Sequence, residues 1–186
     1  MKKKLVILII TVLLTFSICG QNAGKGFVFS FETGTSIGAS DNSNLHFDLL
    51  GGYKFNESLD LGIGIGSRWF YNYYDAAFDF EDNIYPLYLQ FRSRMGKKKA
   101  KALLELRAGY SFGKTPEFTW GGPYFSLGLG VDYPITDKIS VFFKTGPEAI
   151  LFRERYRGED KYRLSGNVFY CINAGMIFLL SKSKKQ

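Results

Sequence analysis

The chain has 186 residues and 24 Lys plus Arg against 17 Asp plus Glu, with one histidine and two cysteines. That length suits a single domain, and the net charge of +7 invites a nucleic-acid reading. Three of the positive charges, however, are Lys2, Lys3 and Lys4 at the start, and without them the charge falls to about +4; the internal run Lys97-Lys98-Lys99 then reads as a solvated turn, no nucleic-acid partner is expected, and too few cysteines remain for a disulfide framework or a thiolate metal cluster.

The three lysines lead into a nearly continuous apolar stretch from Leu5 to Ile18. A charged start followed by an apolar run too short to span a bilayer as a helix is the pattern of a secretory signal. Residues 1–20 are therefore expected to be a cleavable signal peptide and 21–186 the mature domain. Cleavage is placed after Cys19 or Gly20, and lipidation of Cys19 is disfavoured because Phe16-Ser17-Ile18 lacks the usual leader pattern.

From Phe27 onward the pattern changes to period-two alternation, and the predicted strands are 27–37, 45–55, 59–69, 84–95, 100–112, 124–133, 138–150 and 167–180. The clearest is 59–69, where apolar side chains alternate with Asp60, Gly62, Gly64, Gly66 and Arg68. No helix tolerates that glycine spacing, and Gly62-x-Gly64-x-Gly66 also lacks the following helix that a nucleotide-binding loop introduces. The connections alternate in length: short at 56–58, 96–99 and 135–137, longer at 71–83, 114–122 and 152–165.

Alternation gives each strand two faces without saying which points inward, so a soluble lipocalin-like barrel with an apolar cavity is the inside-out alternative. Three features favour the opposite orientation. The polar faces mix long charged side chains with glycines, as in Glu105-x-Arg107-x-Gly109 and Gly128-x-Gly130-x-Asp132, which suits a narrow lumen where small residues make room for large ones. Short turns on one side and long loops on the other match outer-membrane barrels. Aromatics gather near both strand ends, with Trp69, Tyr71, Tyr110, Phe112, Phe125 and Tyr170 toward the loops and Tyr53, Phe55, Phe91, Tyr133 and Phe178 toward the turns. Pro86, Pro123 and Pro147 are expected near the loop ends, where a missing ladder donor does least harm. An apolar-outside sheet in lipid has to close, so the expected fold is all-β: a single antiparallel up-and-down transmembrane β-barrel of about eight strands, with both termini periplasmic.

The lysine-rich start, the glycine-alternating segment 59–69 running into Tyr71, and Tyr85-Pro86-Leu87-Tyr88-Leu89-Gln90-Phe91-Arg92 together resemble the outer-membrane β-barrel domain family of Gram-negative bacteria, the small OmpA/OmpX-like barrels abundant in Bacteroidota. The likeness covers nearly the whole mature chain. It implies an architecture and a location, the outer membrane, with lipid, lipopolysaccharide and the barrel-insertion machinery as partners. The chain departs from the family at its end, where Ser181 to Gln186 follow the last predicted strand.

Parity puts Glu32, Asp48, Asp60, Glu105, Asp132 and Glu148 on the same face as Lys54, Arg68, Arg92, Arg94, Arg107 and Lys144. In a lumen these charges are expected to pair into a plug; lining a narrow conduit for small polar solutes is the alternative. A lipid-modifying enzyme is the second alternative, and its sole candidate group is Ser43, His46 and Asp48, of which His46 and Asp48 point away from the lipid. No catalysis, metal or cofactor is expected. Contact surfaces are expected in the outer loops instead, on Tyr73, Tyr74 and Phe78 in an aromatic and acidic segment, on Trp120, and on Arg153, Arg155 and Arg157 in a basic one, facing lipopolysaccharide phosphates, an extracellular ligand or a protein partner.

Overall fold

A computed structural model describes residues 25–38, 42–72, 83–96, 99–114, 119–155 and 162–180, with the backbone alone at 42, 71, 72, 114, 119, 120, 152–155 and 162–165. The signal segment 1–20, Tyr73, Tyr74, Phe78 and Arg157 lie outside the described residues. The regular elements among those described are strands: β1 (Gly26–Gly38), β2 (Asn42–Lys54), β3 (Leu59–Asn72), β4 (Asn83–Met95), β5 (Lys101–Lys114), β6 (Thr119–Pro134), β7 (Ile139–Arg155) and β8 (Tyr162–Leu179). Each pairs antiparallel with its sequence neighbour, and β1 pairs with β8, so the sheet is a closed eight-stranded barrel.

The short turns are fastened by their own polar residues. Ser58 N–H donates to Asn56 Oδ1 at 2.8 Å, and the Lys138 and Ile139 amides donate to Thr136 Oγ1 at 3.2 and 3.0 Å. Such side-chain acceptors mimic a backbone turn and hold adjacent strands in register. Gly96, at φ +122°, takes the left-handed backbone that a side chain would resist.

The strands run further at the loop end than alternation indicates. Trp120, Arg153 and Arg155, expected in loops, lie within β6 and β7, where Trp120 pairs with Gly113, Arg153 with Leu164 and Arg155 with Tyr162. A hairpin that continues past the bilayer is wetted on both faces, so its ladder persists while period-two hydrophobicity is lost. Phe125 and Tyr170 therefore stand nearer mid-strand than a rim position, and Pro147 falls in the middle of β7. The β6–β7 ladder is interrupted between Ser126↔Glu148 and Leu129↔Thr145, around that proline, as its missing donor requires.

Orientation follows from which face is covered. Leu89 is 65% exposed, Ile63 60% and Leu129 57%, while Arg68 is 0% and Arg92 1% exposed. Apolar residues cover the outside and ionised residues fill the inside, which is the reverse of a soluble barrel and rules out the lipocalin-like alternative. Water would penalise that exterior and a bilayer would not.

Candidate functional site

The lumen is built by strand parity: even residues of β1–β4, β6 and β7 and odd residues of β5 and β8 turn inward, each opposite another inward residue across the ladder. Glycines sit where a neighbour needs room. A Cβ on Gly64 would stand 2.5 Å from Tyr88 Cζ, and one on Gly66 would stand 2.7 Å from Arg68 Nη1. One on Gly128 would meet Lys144 Cδ at 2.9 Å. Glycine alternation is thus the negative image of the bulky inward side chains.

Among those side chains two cations act as hubs. Arg107 reaches Glu32 at 2.5 Å, Asp48 at 3.2 Å and Glu105 at 2.8 Å, and donates to Gln90 Oε1 at 3.2 Å. Arg68 reaches Asp48 and Glu148, each at 3.0 Å, and donates to the Tyr124 hydroxyl at 3.1 Å. Tyr124 in turn donates to Glu148 at 2.8 Å. Lys144 joins Glu32 at 2.9 Å and also Glu105, which holds Arg92 at 2.7 Å. Asp48, shared by both arginines, and Glu105 thus link residues from β1, β2, β3, β4, β5 and β7 into one network across the barrel. Because each of these carboxylates faces at least one cation, the charges are compensated where water is excluded.

A second cluster stands at the turn end, where Arg94 bridges Asp60 at 2.7 Å and Asp132. Lys54, at the end of β2 and opposite Asp60 in the ladder, is partly buried and makes no ion pair with a described residue. Val28, Leu103, Phe142 and Ile177 pack beside that cluster, leaving a shallow cleft of about 70 Å³ at the mouth. Toward the loop end Ile84, Ile150, Phe169 and Phe70 pack over the charges. The Arg107 and Arg92 guanidiniums lie 4.7 Å over the rings of Tyr88 and Phe142, which joins the polar and apolar layers.

Sequence reading missed one further group. His46 Nδ1 meets Ser36 Oγ at 3.2 Å, His46 Nε2 meets Asn173 Oδ1 at 2.5 Å, and Ser36 Oγ meets the buried Cys171 Sγ at 3.0 Å. The serine proposed beside His46, Ser43, lies on the other parity of β2 and does not join it. Alternation turns His46 and Cys171 inward, and Ser36 and Asn173 share their parity, but the meeting of the four depends on closure of β8 onto β1. Glu32, His46 and Asp48 also bring possible ligand atoms within 4.8 Å of one another. Arg68, Arg107 and Lys144 already face those carboxylates, so a metal ion there would meet three positive charges.

No family model matches the sequence, and neither does any curated protein. Solved structures do resemble the fold. Neisserial surface protein A (NspA) superposes with a TM-score of 0.62 at 12% identity, over 85% of this chain and 98% of that one. The outer-membrane protein OprG from Pseudomonas aeruginosa is similar at a TM-score of 0.46 and 15% identity, over 86% and 98% of the two chains. At 12% identity what NspA shares is the fold, the closed eight-stranded barrel of small outer-membrane proteins. Taken with the apolar exterior and charged interior, the chain is a membrane-spanning barrel of that type.

Proposed function

We propose that this outer-membrane barrel is a closed, non-conducting scaffold that presents its outer loops as contact surfaces and carries out no chemistry of its own. The observation that supports this is the filling of the lumen, in which Arg68, Arg107 and Lys144 hold every described strand but β8 in one buried network. A water path would need those ion pairs to part. Paired in a packed lumen, these charges satisfy one another without water. The loop end supplies the contact role, since the strands there continue beyond the apolar belt and carry Trp120, Arg153 and Arg155 outward from the bilayer. Outer lipopolysaccharide phosphates suit those arginines.

The test is conductance of the purified, folded protein in a planar bilayer. The expected record is silent in the wild type, and reproducible unitary steps would overturn the scaffold in favour of a narrow pore. Lipid A extracted from cells expressing the protein is expected to keep its mass; a shifted mass would overturn the absence of catalysis.

A further inference from the structure

Charges in the middle of the lumen pair off, but those at the turn end of the barrel are lopsided. Among the described residues Lys25, Lys99, Lys101 and Lys138 stand on the rim there against Glu57 and Asp137. Lys54, Asp60, Arg94 and Asp132 are close by, yet they turn inward, where two cations balance two carboxylates. Lys101 is engaged by Glu57 at 3.1 Å. Lys25, Lys99 and Lys138 are exposed.

The position of Lys99 says what this rim faces. Its Nζ stands 4.9 Å over the ring of Tyr133, and Tyr133 is 42% exposed on the lipid-facing side of β6. An ammonium held against a lipid-facing ring at the end of the apolar belt lies at head-group depth, with its aliphatic stem along the apolar surface. Lys25 similarly precedes Phe27, whose ring meets Tyr53 edge-on at 5.4 Å, and Tyr53 meets Phe55 at 5.2 Å. Lys138 closes the turn that exposes Ile135.

We propose that this rim binds the phosphate groups of anionic phospholipids in the leaflet that faces the turns, fixing the depth of the barrel. The proposal rests on the chain spanning a membrane. Each lysine near an anionic surface favours it roughly fivefold. That preference fades in salt, because the screening length falls from about 10 Å at 0.1 M to about 3 Å at 1 M.

The experiment offers the folded full-length protein in detergent equal amounts of phosphatidylglycerol and phosphatidylcholine, and counts retained lipid by native mass spectrometry. Gel mobility before and after boiling reports separately that the barrel is folded. The wild type is expected to retain phosphatidylglycerol at least about fivefold over phosphatidylcholine, and the triple variant Lys25→Gln, Lys99→Gln, Lys138→Gln less than about twofold. Raising ammonium acetate to 1 M is expected to erase the preference. Equal retention by a folded wild type overturns the proposal, as does an unchanged preference in a folded triple variant. Displacement of the phosphatidylglycerol by polyglutamate at equal charge would assign the rim to an acidic protein and overturn it as well. A wild type with no boiling-dependent shift would instead bring down the membrane-spanning premise, and the lipid rim with it.

Discussion

Arg107 has Glu32, Asp48 and Glu105 within ion-pair distance, so its loss leaves three buried carboxylates short of a cation. Arg107→Ala is expected to lower stability by about 3–5 kcal/mol in urea unfolding from lipid vesicles. Arg107→Lys restores only part of this, because a single ammonium cannot reproduce the planar fork; a change below about 1 kcal/mol for the alanine variant would mean that the network is not the plug. Asn44 makes the opposite case. Fully buried opposite Ser36, its amide has no bonded partner among the described residues, and Asn44→Leu is expected to raise stability by about 1 kcal/mol in the same assay. A loss of that size would show that the amide is satisfied by bound water. The inward direction of Arg107 and its nearest strand partners was legible because polar residues alternate with apolar ones around Gln90, Glu105 and Arg107. Which carboxylate each cation meets was not, since parity gives a face but neither depth nor position around the barrel; His46 and Asn173 are 127 residues apart.

At the scale of the strand, glycine placement separates the two faces. A Cβ on inward Gly109 would stand 2.6 Å from the Tyr88 backbone Cα, whereas one on outward Gly51 meets nothing within 4 Å. Gly109→Ala is expected to cost about 1–3 kcal/mol, while Gly51→Ala stays within about 0.5 kcal/mol; equal effects in thermal unfolding would contradict the assigned faces. Strand cores and short turns were legible because the bilayer imposes one hydrophobicity on alternate residues and Asn56 and Thr136 mark tight turns. The loop ends were not. Beyond the apolar belt, Arg153-Glu154-Arg155 carries no alternation, yet its backbone pairs with residues 162–164 in the ladder.

For the molecule as a whole, the closed barrel follows from one rule, that a strand in hydrocarbon leaves no backbone group unpaired. Eight strands enclose just enough space for side chains, and here that space is taken by arginines, lysines, carboxylates and the aromatic rings that pack on them. The sequence carried this architecture through its period, its glycines and its loop asymmetry. What the loops bind was not legible, because a contact surface has no periodicity to betray it. Gel mobility with and without boiling, on protein extracted from membranes in detergent, tests the architecture most directly. The unboiled protein is expected to migrate faster than the boiled one, as a folded barrel that resists the detergent. Protein that remains soluble without detergent and shows one mobility in both samples would contradict a closed barrel with its apolar face in lipid.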